Sequence, residues 1–176
     1  MPLMHASTSQ SRSGRTVKAR ATARARSKPQ DAIKLLSADH DEVEGLFKQF
    51  QKMRNGTRKG DLVRQICTAL TVHAEIEEEI FYPAVRDALD EKDEQMMDEA
   101  AIEHQHIKEL VEEIEDAGEN DEMLRAKMKV LCEYVTHHVK EEEKQIFPKA
   151  KKAGVDLQEL GMELMERKTE LMEQQG

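Results

Sequence analysis

Residues 73–83 read HAEIEEEIFYP and residues 138–148 read HVKEEEKQIFP, so a His-x-x-x-Glu pair with a proline ten positions after its histidine occurs twice. Each copy has a further histidine upstream, His40 lying 33 positions before His73 and His104 lying 34 before His138. Cys67 and Cys132 precede His73 and His138 by the same six residues. This is a metal-site pattern written as an internal duplication.

In a helix, positions i and i+4 differ by about 40° around the axis and about 6 Å along it, so His73 and Glu77 point the same way, as do His138 and Glu142. Imidazole nitrogen and carboxylate oxygen suit iron, manganese or zinc, and helices of a bundle can converge four such groups on one point. The candidate ligands are therefore His40, His73, Glu77, His104, His138 and Glu142. Two histidine pairs that share two carboxylates suit a dinuclear centre. A lone His-x-x-x-Glu in so acidic a chain is usually a surface pair, and both His40 with Glu44 and His137 with Glu141 have that spacing. The common register with cysteine and proline selects His138 over His137. Glu44 corresponds to Lys108 in the other copy and is no symmetric ligand. His5, His106 and His137 are expected away from the site.

Around the cassettes the apolar residues recur every three or four positions, which predicts helices. A first helix follows Asp31 as N-cap, carries Ile33, Leu36, Val43, Leu46, Phe47 and Phe50, and stops at Asn55-Gly56. A second runs from about Asp61 to Pro83, a third from Glu91–Asp93 to Gly118 with Ile102 among its apolar residues, and a fourth from about Asp121 to Pro148. Proline removes a backbone donor, so Pro83 and Pro148 are expected to kink or end their helices. A fifth segment capped by Asp156 carries Leu157, Leu160, Leu164, Met165, Leu171 and Met172, and is expected to pack on the bundle or on a partner chain. The fold class is all-α: an up-down-up-down antiparallel four-helix bundle over residues 30–152 with a C-terminal helical extension over 153–176.

A hydrophobic fraction of 38% beside 36% charged residues, with no Trp, favours amphipathic helices over strands. The 176 residues suit one compact domain. Net charge is −9, yet residues 1–29 hold seven Lys/Arg and no acid, leaving about −16 on the remainder. The acidic body repels nucleic acid and attracts cations. The basic arm reads as disordered, and weak nucleic-acid contact, a membrane tether or an organelle transit segment are its functional readings. Two cysteines at equivalent helical positions imply no disulfide framework; both are expected to be free core residues. Without a long apolar run, the protein is expected to be cytoplasmic and to span no membrane.

The order His40, His73-x-x-x-Glu77, His104, His138-x-x-x-Glu142, followed by FYP and IFP, resembles the hemerythrin-like HHE cation-binding domain over about residues 31–150. The resemblance implies a four-helix bundle holding two non-haem irons, with Glu77 and Glu142 bridging, His40 and His73 serving one iron, and His104 and His138 the other. Oxygen-carrying hemerythrins have a second histidine four residues after the third-helix ligand and a bridging Asp five after the fourth-helix histidine. Lys108 and Glu143 stand at those positions here, and Glu142 is the better bridge. Reversible oxygen carriage is therefore not the expectation. What is expected is binding or transformation of a small oxidant (O2, H2O2 or NO) with an unidentified electron donor. Catalase-like peroxide removal, oxidant or iron sensing, and iron handling are the readings, with a non-enzymatic metal-dependent sensor or adaptor as the alternative. Whether the protein is an enzyme is left open. Ferritin-like carboxylate proteins need Glu-x-x-His, and the residues three before the four histidines are Ser37, Leu70, Ala101 and Val135. Tyr134, one turn before His138, is expected to face inward, either as a core tyrosine with an ordinary partner or as a donor to bound peroxide that could even approach an iron. Lys108 and Glu44 read either as a polar pair near the site entrance or as two solvated charges.

Overall fold

The structure, a computed structural model, describes residues 30–53, 58–118 and 120–175. All regular structure in them is helical: α1 Ala32–Lys52, α2 Arg58–Ile76, α3 Tyr82–Ala88, α4 Glu94–Ala117, α5 Leu124–Glu141, α6 Phe147–Ala153 and α7 Leu157–Gln174. The stop expected at Asn55-Gly56 and the arm over residues 1–29, with His5, lie outside the described residues.

Asp31 starts α1 by accepting a hydrogen bond from the Lys34 amide at 3.0 Å, satisfying one of the free donors of the first turn. Asp156 does the same for α7 through the amides of Gln158 and Glu159. Gly154, at φ +79°, supplies the left-handed residue that turns the chain from α6 towards α7.

α1 packs on α2, α2 on α4, α4 on α5, and α5 back on α1, closing an antiparallel four-helix ring. Its interior is stratified. One apolar layer joins Val43, Phe47, Ile66, Val111, Met128 and Leu131. The other joins Leu36, Ile76, Phe81, Met97, Phe147 and Leu164. Along α1, His40 falls between Leu36 of one layer and Val43 of the other, and along α2, His73 falls between Leu70 and Ile76. The histidines thus occupy a polar slice through the core. α7 lies against α1 and α2 of the same chain, burying Leu160, Leu164 and Leu171.

Several expectations are corrected. Pro83 and Pro148 do not end their helices: the chain widens over Glu77–Phe81 and Glu142–Ile146 and continues as α3 and α6. The amide of Tyr82 reaches the Glu77 carbonyl and that of Phe147 reaches the Glu142 carbonyl, five residues back instead of four. The extra residue lets the ring of the following proline pass the preceding turn without clashing with a carbonyl. Ile102 is exposed, because it sits on α4 beside the buried stripe of Ala100, His104 and Ile107. Met165 and Met172 are exposed too, flanking the stripe that α7 presents to α1. Cys67 is free and buried, with burial pushing its thiol up to about 12, and Cys132 is free and half-buried.

Candidate metal centre

All six candidate ligands meet in the polar slice. His40, His73, His104 and His138 are buried on α1, α2, α4 and α5, and Glu77 and Glu142 are 0% exposed at the starts of the two widened turns. Their inward atoms form two groups, His40 with His73, Glu77 and Glu142, and His104 with His138 and Glu77. Within the groups, His40 and His73 approach Nε2 to Nε2 at 3.1 Å, and His104 and His138 at 2.9 Å. Two nitrogens each about 2.0–2.1 Å from one ion at right angles stand about 3 Å apart, so both pairs have the bite of a shared ion.

The carboxylates span the groups. Glu77 lies 3.2 Å from His73 Nε2 and 3.3 Å from His104 Nε2, while Glu142 lies 3.2 Å from His40 Nε2 and 3.9 Å from His138 Nε2. Both oxygens of both residues are buried without a hydrogen-bond partner. With only these histidine contacts at 3.2–3.9 Å, the buried carboxylates are poorly satisfied, at a cost of about 1–3 kcal/mol per group. A cation between them removes that cost, and the residues present fit two ions bridged by Glu77 and Glu142.

Each histidine has a second carboxylate facing its outer nitrogen. His40 Nδ1 lies 3.0 Å from Glu143, His104 Nδ1 3.1 Å from Glu78, His138 Nδ1 2.9 Å from Glu103, and His73 Nδ1 3.6 Å from Asp39. Glu78 and Glu143 follow Glu77 and Glu142 by one residue, and Asp39 and Glu103 precede His40 and His104 by one. The internal duplication therefore extends to the outer carboxylates. Such partners hold the ring with Nε2 turned inward and raise its basicity. The sequence reading weighs Glu143 only as a rival bridge and passes over Asp39, Glu78 and Glu103, although a signal is there: each neighbours a candidate ligand and recurs at the repeat offset.

Electrostatics follow from burial. Burial and the facing Glu142 push the Glu77 carboxyl well above the usual range, whereas for Glu142 the surrounding imidazoles outweigh burial and hold it low. Burial pushes His40 down, but Glu142, Glu77 and Glu143 outweigh it and raise it to about 9; His73 is carried down to about 4 by burial. Glu77 and His40 are thus pushed towards their protonated forms and Glu142 towards its charged one. Because the folded value of His40 lies above its ordinary 6.5, its contribution to stability is full below pH 6.5 and is lost as pH rises through about 9. Melting of chelator-treated protein should fall over that window, and His40→Gln should flatten the slope; an equal slope in both would refute the assignment.

Tyr82, 6% exposed, brings its hydroxyl within 3.3 Å of His104 Nε2 and 3.4 Å of His138 Nε2. Burial and the nearby glutamates raise its phenol well above the ordinary value, so it stays protonated and able to donate. Its counterpart by the repeat is Phe147, whose ring stacks on His40 at 5.8 Å. The tyrosine at the site is therefore Tyr82 and not Tyr134, which is 48% exposed. The interior of α5 is taken by Leu131, Val135 and His138, and Tyr134 falls to the side of that stripe.

The polar pair expected between Lys108 and Glu44 is also corrected. Lys108 donates to both oxygens of Glu78 at 2.8 Å, and Glu44 pairs with Lys48 one turn along α1. Glu143 is half-exposed and Glu142 fully buried, so Glu142 and not Glu143 lies among the inward-facing ligand atoms. His106 is exposed, and His137 pairs with Glu103 and Glu141 outside the buried slice. A cavity of about 20 Å3, enough for about one water-sized molecule, touches all four histidines and is otherwise lined mainly by aliphatic residues, Val43, Leu70, Ile107 and Val135 among them. No described helix is long and apolar enough to cross a membrane.

The chain is similar to known proteins. A hemerythrin HHE cation binding domain-containing protein of Mycobacterium kansasii superposes with a TM-score of 0.70 over 82% of this chain and 89% of its own, at 19% identity, which shows the common fold. A DNA nickase of Nostoc sp. (strain PCC 7120 / SAG 25.82 / UTEX 2576) is 33% identical over 118 residues, which make up 67% of this chain and 32% of that protein. The chain thus spans about a third of that relative's length. Residues 31–150, holding all six candidate ligands and all four outer carboxylates, match the family model for the hemerythrin HHE cation binding domain, and the chain belongs to that family.

Proposed function

We propose that the protein holds two non-haem iron ions in the buried slice and uses them to bind or react with a small oxidant, O2, H2O2 or NO. The observation that carries this is the convergence of four imidazole Nε2 atoms on two fully buried carboxylates that accept no well-formed hydrogen bond, in a layer with apolar core on both sides. His40 and His73 would hold one ion, His104 and His138 the other, and Glu77 and Glu142 would bridge them. When bound, the iron pair would supply electrons and open positions for a small ligand. The chain supplies the rest. Asp39, Glu78, Glu103 and Glu143 orient the imidazoles, and the aliphatic residues around the small cavity exclude bulky molecules. Tyr82 offers a protonated hydroxyl at the His104/His138 end only, where it can donate to a bound oxygen atom.

The absence of a third histidine at the position of Lys108 favours peroxide removal or sensing over oxygen transport. The test is peroxide consumption by the iron-loaded chain, with Tyr82→Phe as the second arm. The expected result is measurable turnover, two irons retained in Tyr82→Phe, and a rate in that variant lower by about 10²-fold, the lower end for losing a positioned proton donor. Failure of the loaded protein to consume peroxide, while still shifting its absorption on adding peroxide or nitric oxide, would convert the reading to a sensor. The adjacent histidines give a sharper test of the ligand set: His138→Ala should lose one iron and His137→Ala neither, and the reverse result would break the repeat alignment.

A second reading takes its motive from the relative named as a DNA nickase. Any nucleic-acid contact would rest on the seven basic residues among 1–29, since the remainder carries about −16. Binding to duplex DNA that survives deletion of residues 1–29 would contradict that placement.

A further inference from the structure

The four outer carboxylates are alike by repeat but not in what holds them. Glu78 is held by Lys108 of α4, and Glu103 lies 3.4 Å from His137 of α5, both contacts within the bundle. Asp39 is held from outside it, by Lys168 of α7, whose Nζ donates to Asp39 Oδ1 at 2.5 Å. Residue 168 lies beyond the 31–150 span of the family match.

Asp39 is 8% exposed, and its other oxygen, Oδ2, has no hydrogen-bond partner. Opposite it at 3.6 Å is His73 Nδ1, also buried and also partnerless. Two orphaned buried polar atoms facing one another at that distance need to close by only about half an ångström to satisfy both. With Nε2 of His73 committed to an ion, its proton sits on Nδ1 and Asp39 Oδ2 is the acceptor waiting for it. Lys168 fixes the other end of that carboxylate. Lys168 itself is well anchored: the adjacent Arg167 grips both oxygens of Glu79 at 2.6 and 3.1 Å, on the same widened turn that carries Glu77, and Gly161 sits directly on the backbone of Gln30 and Asp31.

We propose that Lys168 is a positioning residue for the metal centre: through Asp39 it orients His73, so that the C-terminal helix completes the His40/His73 metal position and leaves the His104/His138 position independent of it. This rests on the two-ion reading above. It makes the halves of a duplicated site unequal, one stiffened from within the bundle and one by an element the duplication does not contain.

The test is anaerobic titration of the full chain with ferrous ion against a competing chelator, for wild type, Lys168→Met, Lys168→Arg and Asp39→Asn, with the melting temperature of each metal-free form. The expected result is two binding steps in wild type. In Lys168→Met and Asp39→Asn one step should weaken by about 10- to 100-fold, the usual cost of losing an outer partner, while the other is unchanged. Lys168→Arg, which keeps the cation, should recover most of the loss. Unchanged binding in Lys168→Met and Asp39→Asn would overturn the proposal while leaving the two-ion reading intact. Equal weakening of both steps, with a matching fall in the metal-free melting temperature, would overturn it by reducing α7 to a general support. A wild type that takes up no ferrous ion would overturn the two-ion reading itself and this proposal with it. Should Lys168→Met fail to fold, Asp39→Asn decides, since it removes the charge at constant volume.

Discussion

Glu77→Gln should make the metal-free protein more stable while destroying its capacity to hold two ions. Glu77 and Glu142 are 0% exposed, and none of their four oxygens has a hydrogen-bond partner. Two acids confined together compete for one proton, and burial with Glu142 already pushes the Glu77 carboxyl well above its ordinary range. An amide of the same shape removes the competition and donates where the protonated acid would. Relief of a buried, poorly satisfied acid is worth about 1–3 kcal/mol, or roughly 3–10 °C in melting temperature for a chain of this length. The same substitution removes a bridging anion from both ion positions, so affinity should fall by more than about 100-fold, beyond what loss of an outer partner costs. In wild type the order reverses on loading: free metal at 100 times its dissociation constant adds about 2.7 kcal/mol. The check is a pair of melting curves, with chelator and with ferrous ion, for both proteins. If chelator-treated Glu77→Gln melts below wild type, the carboxylates have partners in solution and the fit argument fails.

The second large effect is structural. Gly161→Ala should undock α7, because an added Cβ would stand 2.2 Å from the Gln30 carbonyl oxygen and 2.8 Å from the Ala32 amide nitrogen. Both are backbone atoms and cannot swing aside. Alanine in a helix otherwise gains about 0.5–1 kcal/mol over glycine. Overpacking typically costs about 1–3 kcal/mol, so the clash wins and melting should fall by several degrees. Gly45, also helical, has nothing within 4 Å of its own added Cβ, and Gly45→Ala should raise stability by about 0.5–1 kcal/mol. Opposite signs at the two glycines are the expected outcome of thermal melts on the metal-free forms. Equal and positive signs would mean that α7 is not seated against the start of α1.

Most of this architecture is legible in the chain, for a reason visible in particular residues. Asp31 and Asp156 cap where an acid precedes an apolar stripe, and the six candidate ligands can be chosen because a duplication tests each residue against its copy. What could not be read depends on geometry that ordinary helical periodicity does not contain. Tyr82 stands five residues after Glu77, about 140° around a regular helix, and faces the site only because the chain widens over Glu77–Phe81. Tyr134, at the regular four-residue spacing from His138, faces solvent because Val135 occupies the interior. Lys108 and Glu44 are equivalent by repeat, yet equivalence relates the halves by rotation and brings neither to the other; each answers to its own neighbours, Glu78 and Lys48. The contact of Lys168 with Asp39 joins residues 129 apart and leaves no periodic trace.

The measurement that tests the account most directly is metal analysis with an optical spectrum of protein purified anaerobically from iron-rich medium, before and after peroxide. Two irons per chain, with absorption that changes on adding peroxide, is the predicted result. One zinc per chain, or no metal at all, would contradict it.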